Sequence, residues 1–151
     1  MLVSQDADSN MPVKVFIADD SVDMRERLTG MLAGIEGVGI IGQAGELGEA
    51  IRGIRDLKPE VVILDIQMPS TVPQMHSGID VLRAIRQDSL LAQPTVIMLT
   101  NFPYPQYRQR CLEAGANFFF DKSNEFSQIV ETLRRIYFAQ ATARQSSRKD
   151  S

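Results

Sequence analysis

The 151-residue chain contains no tryptophan, one histidine (His76) and one cysteine (Cys111). A single thiol closes no internal disulfide and builds no multi-cysteine zinc site. No uninterrupted apolar run approaches the roughly 20 residues that a membrane-crossing helix needs. The opening MLVSQDADSN has no signal-peptide pattern, so a cytoplasmic protein without membrane insertion is expected. Nor is there a large excess of one charge: 16 basic against 19 acidic side chains leave a formal charge of -3. That balance speaks against direct nucleic-acid binding, which usually needs a basic face. Ten glycines and seven prolines are too few for a collagen-like or low-complexity chain, and 44% apolar residues exclude disorder throughout. The length suits one hydrophobic core and falls short of two domains of usual size.

What is present is an alternation. VKVFIAD, residues 13–19, is nearly continuous in apolar side chains and reads as a buried strand. The period then lengthens: Met24, Leu28, Met31, Leu32 and Ile35 share a helical face, capped by Ser21. A short strand around Val38, Ile40 and Ile41 follows, then a helix carrying Leu47, Ala50, Ile51 and Ile54. EVVILD is the third strand, and Ser77-Gly78-Ile79-Asp80 opens a third helix with a capping-box pattern. TVIMLT predicts a fourth strand, residues 104–114 a fourth helix, and residues 117–120 a fifth strand. Phe126, Ile129, Val130, Leu133 and Ile136 mark a last amphipathic helix. Continuous apolar strands separated by one-sided helices require an α/β fold, a doubly wound parallel sheet covered on both faces. The expected organisation is a loose arm over residues 1–12, a folded unit over 13–138 and a polar tail over 139–151.

In an open parallel sheet, the carboxyl ends of the strands converge on one crevice. Asp19 and Asp20 leave the first strand, Asp65 ends the third, Thr100 ends the fourth, and Lys122 lies just past the fifth. Taken singly, each has an ordinary explanation: Asp20 a helix cap, Asp65 a turn residue, Thr100 a β-former, Lys122 a solvated charge. Together they place three mutually repelling carboxylates at one edge, which a hard divalent ion would neutralise. Asp19 and Asp20 can serve as metal ligands and Asp65 can present a nucleophilic oxygen. Lys122 can offset phosphoryl charge and Thr100 can donate a hydrogen bond to it.

The four blocks FIADDS, ILDIQMP, MLTN and FFFDKS, in this order, resemble the receiver domain of bacterial two-component response regulators over about residues 13–138. The resemblance implies a (βα)5 flavodoxin-like fold of the CheY type with strand order 2-1-3-4-5. It also implies a phosphorelay. A sensor histidine kinase or histidine phosphotransfer protein would pass its phosphoryl group to Asp65. Mg²⁺, or Mn²⁺ in its place, would be held by Asp19, Asp20, Asp65 and the backbone carbonyl of Gln67. Thr100 and Lys122 would be the switching hydroxyl and lysine, and the switching aromatic falls on Phe119, a ring without a hydroxyl. Output would pass to a separate downstream protein or through a homodimer built on the fourth helix, fifth strand and fifth helix.

Departures from the family pattern stand out. The turn after Met68-Pro69 is extended by several residues, SerThrValProGlnMetHisSer before Gly78, and can either shield the acceptor or offer partner contacts. His76 within it is read as a solvated loop residue. Asn101 takes a position beside Thr100 where a smaller side chain is common, and Ser123 replaces a proline after the lysine, which removes the reason for a cis peptide there. Tyr104, Pro105 and Tyr107 form a candidate contact patch, and Cys111 is expected in the core. Two other functions compete: a receiver fold kept as a non-phosphorylated interaction module, and a haloacid-dehalogenase-like phosphatase. The second expects an aspartate two positions after the nucleophile, where this chain has Gln67.

Overall fold

The computed structural model describes the backbone of residues 13–150 and the side chains of residues 13–143. The arm expected over residues 1–12 lies outside the described residues. Strand and helix alternate five times. The strands are β1 (Val13–Ala18), β2 (Val38–Ala44), β3 (Val61–Asp65), β4 (Thr95–Thr100) and β5 (Phe118–Asp121). The helices are α1 (Val22–Ala33), α2 (Leu47–Leu57), α3 (Gly78–Gln87), α4 (Pro105–Glu113) and α5 (Phe126–Asp150). All neighbouring strands pair in parallel, and the sheet order is β2-β1-β3-β4-β5. This is the expected doubly wound α/β fold.

Period-two alternation distributes the strand side chains between two cores. Val13, Val15 and Ile17 of β1 join Ile63, Leu99, Phe120, Leu28 and Leu133 on one face, beneath α1 and α5. Phe16 and Ala18 join Leu64, Met98, Phe119, Ile54 and Leu82 on the other, beneath α2, α3 and α4. Cys111 is buried in this second core, as expected. Because both faces are covered, the strands read as largely apolar runs, and the buried polar side chains Asp65, Thr100 and Asp121 stand where β3, β4 and β5 run out.

One packing arrangement had no signal in the apolar pattern. The Phe16 ring occupies the space that a side chain would need at Gly42 and Gly53. A Cβ at Gly53 would lie 2.6 Å from the ring, and one at Gly42 would lie 2.8 Å from it. β2 carries an irregularity opposite this ring, with the register shifting between Val15 and Phe16. Glycine inside a helix is normally unfavourable by about 1 kcal/mol relative to alanine. Here it makes room for the largest side chain of β1.

The last helix differs from expectation. It continues through residues 139–150, where the sequence reading placed a polar tail without pattern. No glycine or proline interrupts residues 126–150, so nothing breaks the backbone ladder. Gln140 Nε2 also donates to Glu60 Oε2 at 2.9 Å, while Glu60 Oε1 accepts the Lys14 N–H at 3.1 Å. That relay ties the helix to the start of β1 past its last large apolar residue, Phe138. The fourth helix begins at Pro105 rather than Tyr104, with proline in the first turn, where its missing N–H is no loss.

Gly53→Ala should therefore destabilise the protein by roughly 1–3 kcal/mol through overpacking, although alanine favours helix. Urea denaturation should show the loss, and adding Phe16→Leu should recover part of it. A Gly53→Ala protein more stable than wild type would contradict the packing account.

Candidate functional site

The strand exits of β1, β3 and β5 meet in one buried constellation. The Lys122 ammonium lies 2.9 Å from Asp65 Oδ2 and 2.6 Å from Asp19 Oδ2, and all three side chains are almost fully buried. The contact with Asp65 is an aligned hydrogen bond. The contact with Asp19 is close but poorly aligned, so Asp19 Oδ2 is left without a well-directed donor. Asp19 Oδ1 accepts the Ser21 N–H at 2.9 Å, and Asp65 Oδ1 accepts the Gln67 N–H at 3.2 Å. Asp20 is exposed, yet one carboxylate oxygen from each of Asp19, Asp20 and Asp65 lies within 4.8 Å of the others.

Charge explains the titration behaviour. Burial pushes the Asp65 carboxyl up, Lys122 pulls it down by charge and hydrogen bond, and Asp19 pushes it up again, to about 6. Burial alone would lower the Lys122 ammonium, but Asp19 and Asp65 together hold it above its usual value. One ammonium thus serves two buried carboxylates with a third nearby. An all-oxygen donor set with surplus negative charge and an under-directed Asp19 oxygen fits a hard divalent cation.

The other expected residues fall around this cluster. Thr100 is fully buried, and its Oγ1 accepts the Phe102 N–H at 2.9 Å, which pins the first turn after β4. The Lys122 N–H bonds the Thr100 carbonyl at 2.9 Å, fixing β5's exit beside that of β4. Phe119 is buried, paired with Met98 across the strands, with the Arg108 guanidinium 5.8 Å from its ring centre. Asn101 is exposed. The turn after Lys122 is built by Asp121, which accepts the Ser123 N–H at 2.8 Å and the Asn124 amide at 3.0 Å, and no cis peptide occurs among the described residues. His76 is exposed and lines a groove of about 530 Å³ with Gln67, Arg83, Tyr107 and Arg110. Tyr104 is exposed and stacks on Phe102, while Tyr107 partly joins the core, so the candidate patch is divided between surface and packing.

The response regulator receiver domain family matches residues 15–134. This chain is a response regulator receiver domain. It is 32% identical over 130 residues to the response regulator GacA of Pseudomonas syringae pv. syringae, covering 85% of this chain and 56% of that protein. The chain thus spans about half the length of the curated relatives it matches. Among solved structures, the signal receiver domain of the putative response regulator NarL from Mycobacterium tuberculosis superposes with a TM-score of 0.72 at 26% identity. That match covers 83% of this chain and 96% of NarL's. The CheX-CheY-BeF3-Mg complex from Borrelia burgdorferi gives a TM-score of 0.72 at 29% identity, over 86% and 92% of the two chains. No helix among the described residues is long and apolar enough to cross a membrane.

The receiver holds two features that motif reading passed over. Arg25 donates to the Asp19 carbonyl at 2.5 Å, bracing the acidic turn from α1. Gly78 closes the extended loop against the end of β3: its N–H bonds the Ile66 carbonyl at 2.7 Å, and a Cβ there would meet the Asp65 carbonyl oxygen at 2.1 Å. The sequence hinted at Gly78 only as the start of a helix. Its close approach to Asp65 becomes visible once β3 and α3 are packed.

Because folding raises Asp65, its contribution favours the native state at low pH and is lost as pH rises through about 6. Asp65→Asn should therefore exceed wild type in stability in metal-free buffer. The gap should widen between about pH 4 and pH 7 by on the order of 2 kcal/mol. Millimolar Mg²⁺ should narrow it. Thermal melts across that pH range decide the point, and a gap that shrinks with rising pH would refute the electrostatic account.

Proposed function

We propose that this receiver accepts a phosphoryl group from a phosphohistidine on a sensor histidine kinase or histidine phosphotransfer protein. Asp65 is the acceptor. The observation that carries the reading is the buried Lys122 ammonium held between Asp19 and Asp65 at the convergence of three strand exits. An Asp65 oxygen attacks phosphorus in line, an O–P bond forms, and the P–N bond to the donor imidazole breaks. Lys122 is placed to offset charge on the transferring oxygens.

Asp19, Asp20, Asp65 and the backbone carbonyl of Gln67 would hold Mg²⁺, or Mn²⁺ in its place. When bound, the ion supplies neutralisation of phosphoryl charge that three carboxylates would otherwise oppose. Strong hydrogen-bond donors orient the acceptor before that. The Gln67 N–H and Lys122 Nζ each engage one oxygen of Asp65, which limits rotation of the carboxylate.

Thr100 connects the site to the surface. Its hydroxyl oxygen is occupied by the Phe102 N–H. Turning the hydroxyl toward a phosphoryl oxygen releases that N–H and loosens the Phe102–Tyr104 stack, whose ring centres are 6.3 Å apart. Phe119 lies in the core beneath α4 and can report the same shift through packing alone. The output face is α4, β5 and α5, where exposed Leu112 and Phe118 supply apolar surface for a downstream protein or a second copy. Direct nucleic-acid contact is not part of this function.

Incubation with Mg²⁺ and a small phosphodonor should give a base-labile adduct on Asp65, located by peptide mapping. Asp65→Asn should abolish it while keeping the fold. Thr100→Val should still form the adduct but leave the Phe102 environment unchanged on phosphorylation. Phosphate mapped elsewhere, or no adduct under conditions that label another receiver, would defeat the proposal.

A further inference from the structure

Glu46 stands at the end of β2 and caps α2, a position where shorter side chains are the rule. Its carboxylate does more than cap. Oε1 accepts the Glu49 N–H at 2.5 Å, and Oε2 accepts the Gly48 N–H at 2.8 Å. The same Oε2 reaches across to the extended loop, accepting the Thr71 N–H at 2.9 Å and the Thr71 hydroxyl at 3.0 Å. Burial by itself would raise this carboxyl, but the Thr71, Gly48 and Glu49 N–H groups and the Thr71 hydroxyl outweigh it and hold it at about 2. The carboxylate is therefore charged at any physiological pH.

The anchor acts on a short piece of chain. The Leu47 N–H, next to Glu46, bonds the Pro69 carbonyl at 2.9 Å. At the other end, the Gln67 N–H bonds Asp65 Oδ1 at 3.2 Å. Gln67 and Met68 thus span two fixed points, the acceptor carboxylate and the α2 terminus. There is little room for the loop to drift. The methyl and hydroxyl of neighbouring residues fill the space above the helix, since a Cβ at Gly48 would meet Thr71 Oγ1 at 2.8 Å and Val72 Cγ2 at 3.0 Å.

We infer that Glu46 is a positioning residue for the phosphorylation site: by holding Thr71, it fixes the backbone at Gln67 and so sets metal affinity beside Asp65. The extended loop is then a braced strap rather than a slack insertion. This inference rests on the functional reading above, in which the Gln67 carbonyl is a metal ligand.

Glu46→Asp separates the two duties of the side chain. Aspartate caps helices well, so α2 should persist, but it is one methylene too short to cap the helix and reach Thr71 together. Thr71→Val is the companion variant, which removes the hydroxyl arm from the other side. Calorimetric titration of the unphosphorylated full chain with Mg²⁺ should show affinity falling about three- to tenfold in Glu46→Asp and less in Thr71→Val, below the roughly 10–100-fold lost when a direct partner of a metal ligand is removed, because Glu46 acts through the backbone. The metal-free unfolding midpoint should stay close to wild type. Exchange of the backbone amide at position 71 should quicken in both variants. Phosphorylation of Glu46→Asp by a small phosphodonor should need more Mg²⁺ for half-maximal rate, yet reach the wild-type rate at saturation. Wild-type Mg²⁺ affinity in Glu46→Asp, beside a wild type that binds Mg²⁺ and is phosphorylated on Asp65, would overturn this inference alone. A wild type that binds no Mg²⁺ and takes no phosphoryl group would overturn the functional reading and this inference with it.

Discussion

The site is organised around one ammonium group shared by two buried carboxylates. Lys122 is brought between Asp19 and Asp65 by the backbone, since its own N–H is bonded to the Thr100 carbonyl at the end of the neighbouring strand. A buried charge cluster of this kind is weak evidence for stability, because desolvation opposes the attraction. Its persistence in the fold is better understood as a site held ready for more charge. With the third carboxylate of Asp20 nearby, the cluster carries surplus negative charge of the size one divalent cation would balance.

Around that centre the protein builds two different kinds of connection. On the β4 side, the Thr100 hydroxyl oxygen accepts the Phe102 N–H and so ties the end of β4 to the exposed turn before α4. On the β3 side, the connection is rigid instead: Gly78 closes the loop onto Ile66, and Glu46 holds Thr71. One side of Asp65 is tied through a single hydroxyl and the other through several backbone bonds. That asymmetry is what the proposed phosphorylation reading would use, with Asp65 held in place while a response travels through Thr100.

Much of this was legible in the sequence. Strand and helix order followed from the change between period two and period 3.6, and burial on both faces explains why the strands read as largely apolar runs. The polar residues at the exits of β1, β3, β4 and β5 could be picked out because each follows a run of four or so apolar residues. The end of the last helix was misread because its final turns lack an apolar stripe, and Gln140 docking on Glu60 belongs to a contact across 80 residues. Glu46 escaped notice for a similar reason. In the chain it is an acidic residue between two glycines' neighbourhoods, and nothing local announces that it reaches Thr71 25 residues later.

By itself the sequence determined the layer architecture and the residue types gathered at four of the five strand exits. Those properties are written in local periodicity, where each residue's environment depends on neighbours three or four positions away. Only the tertiary structure decided which of those residues touch: Lys122 with Asp65 across 57 residues, Phe16 against Gly42 and Gly53, and the extended loop against α2. Such contacts depend on how twisted strands and packed helices bring distant atoms within hydrogen-bond or van der Waals range. No spacing along the chain encodes that distance.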